Sequence, residues 1–355
     1  MKSLKKNSSN SFQVIIHYIT GQLSLQINTK TTGKELFIQV CCCLGVKQFE
    51  YFGLQYEGKK KRVGWLRPGK KVYHTIGSNG TTPLFFLVKY FPEEIGKLGD
   101  NVAISLIYNQ CKKEIVAGTI FCPPETSILL ASYVLQAEES DWPHVDHYSI
   151  DPASIIPSNV LSQYTMSPTA WGDSLKDWHK DHEGLTPIEA QIEYLKIAQY
   201  LGMYGVSYFK AENGGEMVWI GIHPKGINIY KETLLFPKTI LKWVFIKMVH
   251  YSCKKFIVRL VLQTVQEYVF QMKNMRTARL IFELAVGYHH LHVQNRYLPT
   301  QPRHYNELEK EKFKESTEEL HSVETTKGDS IMRKIKKRNS TYIQLPTLKE
   351  EDISD

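Results

Sequence analysis

No stretch of the 355-residue chain approaches the ~18 uninterrupted apolar residues that a bilayer-spanning helix needs, and Leu84 to Val88 is only strand-sized. Any membrane contact is therefore expected to be peripheral. Lys2, Lys5 and Lys6 open the chain, but no apolar segment follows before Phe12, so the core of a secretory leader is missing and the reducing cytoplasm is the default compartment. The six cysteines, Cys41, Cys42, Cys43, Cys111, Cys122 and Cys253, show no C-x-x-C pair and no regular framework, which argues against a zinc ribbon or a disulfide scaffold. There is no G-x-S-x-G, no P-loop and no cysteine nucleophile ahead of a glycine-rich loop ending in arginine, so catalysis has no visible residues and no cofactor is implied. With 42% hydrophobic residues the chain is too apolar to be disordered, and its net charge of +8 allows a polyanionic partner without requiring one. The length leaves room for two or three compact units.

What is present falls into blocks. Val14, Ile16 and Tyr18 alternate, and after Thr20-Gly21 the alternation resumes at Leu23, Leu25 and Ile27, the period-2 pattern of a hairpin. Thr32-Gly-Lys-Glu35 has the form of a capping box, and Leu36, Phe37, Val40, Cys41 and Leu44 recur at helical spacing until Gly45. Strand-like runs at Tyr51 to Gln55 and Leu84 to Tyr90 complete the order of a ubiquitin-like roll over 12–91. From 92 to 202 the alternation gives way to helical patterns: Pro124 and Glu125 open one stripe, and Thr186-Pro-Ile-Glu189 is a second capping box. Residues 203–298 return to strands at Val206–Phe209, Val218–Ile222, Ile227–Tyr230, Trp243–Tyr251, Phe256–Leu260 and Tyr268–Met272, then a helix from Thr277 to about Gln294. A meander closed by one helix is the order of a pleckstrin-homology-like barrel. Residues 299–355 are dense in charge of both signs with scattered apolar positions, and predict a mostly disordered tail.

Local strings sharpen that order. Phe52-Gly-Leu-Gln-Tyr56, Trp65-Leu66, Cys122-Pro-Pro-Glu-Thr126, Ser132-Tyr133 with Gln136-Ala137, Glu193-Tyr-Leu-Lys-Ile-Ala-Gln199 and Met203-Tyr-Gly-Val206 make Phe12 to Arg296 resemble a FERM domain of the ezrin/radixin/moesin and merlin branch, cut off after that domain. The resemblance implies an α+β multi-lobe fold, a cloverleaf of ubiquitin-like roll, acyl-CoA-binding-protein-like helical bundle and pleckstrin-homology/PTB-like barrel. It also implies a non-enzymatic membrane–cytoskeleton adaptor, cytoplasmic and peripheral at the inner face of the plasma membrane and the cell cortex.

Two sites follow. Lys59-Lys-Lys-Arg62, Arg67, Lys70 and Lys71 stand together with no acid among them. A solvated loop is the ordinary reading of such a run, but each cation near an anionic leaflet contributes about 1 kcal/mol, so several together hold a protein at a membrane. The resemblance assigns Lys60, Arg67, Lys70 and Lys71, with Arg279 of the last helix, to phosphatidylinositol bisphosphate at the inner leaflet. The second site is implied by the resemblance, and the alternation and helical spacing of its residues fit it: cytoplasmic tails of membrane receptors or adhesion proteins dock beside the strand matching Ile246 to Tyr251 and against the helix from Thr277. Ile246, Met248, His250, Ile281 and Leu284 are its candidates, set against the plainer view that they pack the barrel.

His179 and His182, and likewise His289, His290 and His292, are read as exposed charged helix faces rather than metal ligands. Among Cys41 to Cys43, one is expected to face the core. The competing classes are the front of a larger tyrosine phosphatase or kinase and, from Arg333-Lys-Ile-Lys-Lys-Arg338, a basic nucleic-acid binder; no nucleic-acid module lies nearby and no nucleic acid is expected. In the family a long helix and a C-terminal domain fold back over the second and third lobes. Here Pro302, Gly328 and Pro346 interrupt the tail and no heptads are sustained beyond Leu308, Phe313 and Leu320, so the expectation is an open module whose link to the cortical cytoskeleton is indirect.

Overall fold

The computed structural model describes residues 11–58, 62–77, 82–139, 141, 151–163, 168–261, 267–297 and 340–344. They form two compact units, 1–205 and 206–355.

In the first unit, β1 (Ser11–Tyr18) and β2 (Gly21–Asn28) pair antiparallel across a two-residue turn, and the inward positions of the alternation, Val14, Ile16 and Ile27, are buried. Helix α1 (Gly33–Leu44) starts where Thr32 and Glu35 exchange capping bonds and stops at Gly45, whose φ of 73° is left-handed. It lays Leu36, Val40 and Cys41 on the sheet, which continues through β3 (Phe52–Gly58), β4 (Arg62–Trp65), the single turn α2 (Tyr73–Ile76) and β5 (Leu84–Val88). The strand order is β2-β1-β5-β3-β4, with β1 and β5 parallel. Phe86 on the central strand stacks on both Phe52 and Phe37.

The bundle that follows comprises α3 (Asn101–Val116), α4 (Pro124–Glu139), the short α5 (Ser158–Leu161), α6 (Pro168–Lys180) and α7 (Pro187–Ala198). Tyr108 and Tyr194, both buried, meet edge to face at its centre. Reciprocal bonds weld it to the roll. The Asp100 carboxylate, which caps α3, accepts from the Lys47 and Gln48 amides at 2.6 and 3.0 Å, while Gln48 Oε1 accepts from Gly99 and Asp100 at 2.9 and 3.1 Å. Gly205 closes the unit at φ 63°, and a Cβ there would lie 2.6 Å from Phe91 Cβ, so both the conformation and the contact require glycine.

The second unit is one antiparallel sheet of order β13-β10-β11-β12-β6-β7-β8-β9 with a long helix packed on it. Its strands are β6 (Ser207–Asn213), β7 (Glu216–His223), β8 (Gly226–Tyr230), β9 (Thr239–Lys242), β10 (Ile246–Ser252), β11 (Lys255–Leu260) and β12 (Glu267–Met272), followed by α8 (Met275–Tyr297) and β13 (Ser340–Gln344). Asn213↔Glu216 is closed by Gly214 and Gly215 at φ 60° and 87°, the two positive values a tight hairpin asks for.

Three features depart from the sequence reading. The run Trp243–Tyr251 is not one strand: Trp243–Phe245 turns as a 3-10 segment, because the Trp243 indole is buried and donates to the Pro224 carbonyl at 2.8 Å, and β10 starts only at Ile246. The short β9 carried no readable alternation. Within the tail, which the sequence reads as mostly disordered, Ser340–Gln344 is a strand on β10; the rest of 298–355 lies outside the described residues.

Candidate functional site

The cationic loop is held from beneath by main-chain bonds. The first free amides of α1 reach it: Gly33 donates to the Lys70 carbonyl at 2.8 Å and Lys34 to the Pro68 carbonyl at 3.0 Å, while Val72 donates to Thr31 at 2.9 Å. A Cβ on Gly33 would stand 2.3 Å from the Arg67 carbonyl oxygen, which is why the capping box contains glycine at this position. Arg67, Lys70 and Lys71 are thus exposed side chains on a fixed backbone. Lys60 lies outside the described residues. Arg279, in the second unit, is not free: its Nε donates to Glu283 Oε1 at 2.7 Å one helical turn on, a half-exposed pair that contributes only about 0.3–0.5 kcal/mol and yields easily to a stronger anion.

On β10 the inward positions Ile246, Val249 and Tyr251 are 1%, 0% and 8% exposed, whereas Met248, His250 and Ser252 are half-buried. From α8, Ile281 and Leu284 are 0% and 3% exposed, in one stripe with Ala285 and Tyr288 against the sheet. Of the five residues read as groove-facing, then, Ile246, Ile281 and Leu284 belong to the barrel core, and Met248 and His250 remain as side chains available at the edge. His250 Nδ1 is buried without a hydrogen-bond partner among the described residues, and burial together with Arg259 holds its imidazole below the usual histidine range. Sequence reasoning missed Tyr251, whose ring meets Phe282 of α8 at 5.2 Å and ties the strand to the helix; its place in the β10 alternation was the available signal.

Of the histidines read as exposed helix faces, His290 is exposed, but the other four are not. His179 and His182 are 0% and 6% exposed: His182 Nε2 lies 2.8 Å from Ser132 Oγ, which itself donates to the Leu129 carbonyl, and His179 Nε2 lies 3.0 Å from Gln136 Oε1. They were misread because helical spacing in a polar string does not reveal a buried polar network. His289 and His292 are likewise buried, His289 edge-on to Trp243, and burial lowers its pKa to about 4. No group of three or more His, Cys, Asp or Glu placed to hold a metal occurs among the described residues. Cys41 is the buried member of its trio, its thiol pushed up to about 12 by burial, and Cys42 and Cys43 are exposed. None of the described helices is long and apolar enough to cross a membrane.

The roll, bundle and barrel match three family descriptions in chain order: FERM N-terminal domain over residues 21–76, FERM central domain over 93–209 and FERM C-terminal PH-like domain over 212–300. The chain belongs to the FERM family. Moesin/ezrin/radixin homolog 1 of Aedes aegypti is 36% identical over 282 residues, 78% of this chain and 48% of that protein. Merlin of Homo sapiens is 35% identical over 300 residues, 83% of this chain and 50% of that protein. The crystal structure of the FERM and C-terminal domain complex of Drosophila Merlin superposes with a TM-score of 0.75 at 34% identity, covering 81% of this chain and 98% of that one. These relatives place the FERM module in the ezrin/radixin/moesin and merlin branch. The MyTH4-FERM MF2 domain of Dictyostelium discoideum myosin VII, at 16% identity, TM-score 0.63 and coverage of 79% of this chain and 58% of that one, shares the fold. The chain spans about half the length of the curated relatives it matches.

Proposed function

We propose that this FERM chain is a non-enzymatic adaptor at the cytoplasmic face of the plasma membrane and the cell cortex, joining phosphoinositide headgroups to cytoplasmic tails of membrane proteins and, indirectly, to the cortical cytoskeleton. One observation carries the tail-binding half. β10 takes a further antiparallel strand beside the barrel's own seven, with main-chain pairing from Met248 to Ser252, so this edge accepts an extended segment. Main-chain bonds supply affinity there, and Met248, His250 and the unpartnered His250 Nδ1 supply selectivity.

The headgroup half rests on cations mounted on a main-chain-braced loop, Arg67, Lys70 and Lys71. An acid-free set of exposed cations attracts a multivalent phosphate, and Arg67 adds bidentate geometry. Flotation with vesicles containing phosphatidylinositol bisphosphate tests it. Wild type is expected to float and the Lys70→Glu, Lys71→Glu variant to remain below; equal flotation of the two would remove the site.

A further inference from the structure

The two sheets end in four edge strands, β2, β4, β9 and β13, and a fold must pair, cover or blunt such edges. Three of them are short, with four residues in β4, four in β9 and five in β13. Cations also border two: β4 opens on Arg62 directly after Lys59-Lys-Lys61, and exposed Lys238 and Lys242 frame β9. β2 has neither protection. It runs eight residues in unbroken register with β1, without a proline, and among the described residues no strand lies on its other side. Alternate residues of such a strand aim their main-chain groups away from the sheet. No Lys, Arg, Asp or Glu occurs between Lys6 and Lys30 in a chain that is 23% charged, so no charge deters another strand from adding there.

The side chains define what fits. Leu23 and Leu25 lie opposite the core residues Ile16 and Val14, on the face that α1 covers, yet at this rim both stay half-buried. Gln22, Ser24, Gln26 and Asn28 occupy the exposed face. An incoming antiparallel strand must therefore carry apolar residues on one face and uncharged polar residues on the other. β2 itself meets that requirement. Turned about a two-fold axis normal to the sheet and passing beside Leu25, it sets Leu25 against Leu25 and Leu23 against Ile27, with Ser24 against Gln26 and Gln22 against Asn28 on the outer face. Near such an axis each residue meets its own image, so two identical edges cannot offer opposite charges there. Absence of charge is the complementarity that self-pairing requires.

We propose that β2 is a self-association edge, pairing antiparallel with β2 of a second copy and joining two five-stranded sheets into one continuous sheet. The contact covers the half-buried rims of Leu23 and Leu25 and uses neither the cationic loop nor the β10 edge. A single strand pair is smaller than the ~1,200 Å² of a standard interface, so the dimer is weak and reversible, with a dissociation constant of about 10–100 μM.

The test uses the full chain in three forms: wild type, a Ser24→Glu, Gln26→Glu variant and a Ser24→Lys, Gln26→Glu variant. Both positions are exposed, and equal thermal midpoints check that the fold is kept. Sedimentation from about 1 to 300 μM is expected to show wild type passing from monomer to dimer. The doubly acidic variant should associate at least about tenfold more weakly, because acid meets acid at each Ser24–Gln26 pair. The mixed variant should associate at least as tightly as wild type, because each of those pairs then joins a cation to an acid. Amide exchange over 22–28 in wild type should slow about tenfold across the same range, with the rest of the roll unchanged. A wild type that stays monomeric overturns the proposal and leaves the edge to an extended segment of another protein. A dimer that forms equally in all three forms, or without slowing exchange in β2, places the contact elsewhere and overturns it as well. Equal weakening of both variants overturns the register centred on Leu25. Protection of 22–28 that is already complete at the lowest concentration shows that a segment of the same chain covers β2, which also overturns self-pairing.

Discussion

The cationic loop and the β10 edge are built in opposite ways. The loop uses main chain as scaffold and side chains as contacts: α1 amides hold the Pro68 and Lys70 carbonyls while Arg67, Lys70 and Lys71 point to solvent. The edge uses side chains as scaffold, with Val249, Tyr251 and the α8 stripe buried, and offers main chain as contact. Substituting contact side chains should therefore be harmless to the fold at the loop and of little effect on binding at the edge.

The sharpest way to break this contrast is to attack the scaffold of the loop. Gly33→Val should cost about 3 kcal/mol, since the Cβ 2.3 Å from the Arg67 carbonyl forces the backbones apart, and it should lower vesicle binding as well; urea unfolding and flotation would check both. A loss of stability with full vesicle binding would show that the cations work without their platform.

Acid attacks the other scaffold. Free histidine takes up a proton near pH 6.5, whereas buried His289, flanked by His290 and His292, resists until about pH 4. The unfolded chain thus gains protons first, so stability is whole above about pH 6.5 and falls as pH drops toward 4, by up to about 3 kcal/mol. His182, also held below its usual range by burial, adds in the same direction in the first unit. Unfolding midpoints at pH 7 and 4.5 should differ far less in a His289→Phe variant than in wild type.

At the loop contacts, Lys70→Glu with Lys71→Glu should weaken vesicle binding by at least about 2 kcal/mol, at about 1 kcal/mol per cation removed, and leave the thermal midpoint nearly unchanged. A drop of several degrees would mean that these side chains are part of the scaffold after all. The smallest effect is expected at Glu283→Ala. Losing its pair with Arg279 should change stability by only about 0.4 kcal/mol, read by thermal unfolding.

The loop was legible in the sequence because a charge cluster announces itself, and the glycine of Thr32-Gly-Lys-Glu35 was visible even though its reason, the Arg67 carbonyl, was not. The edge was harder to read. Helical and strand spacing marked Ile246, Ile281 and Leu284 as facing something apolar, but periodicity does not distinguish a groove from a core, and the barrel took all three inward.

Order along the chain was within reach of local patterns. Capping boxes at Thr32 and Thr186, the Gly214-Gly215 turn and the α8 stripe are settled by residues a few positions apart, and each appears in the structure with the geometry its chemistry demands. What lay beyond them depends on distant partners. His179 and His182 are buried because Ser132 and Gln136 of another helix supply hydrogen bonds for them. Ser340–Gln344 is a strand because β10, some ninety residues earlier in the chain, offers free main-chain groups to a segment too short to form a strand alone. Spacing fixes which face of an element is apolar, whereas its neighbour is chosen by chain reversal and packing, which no local window contains.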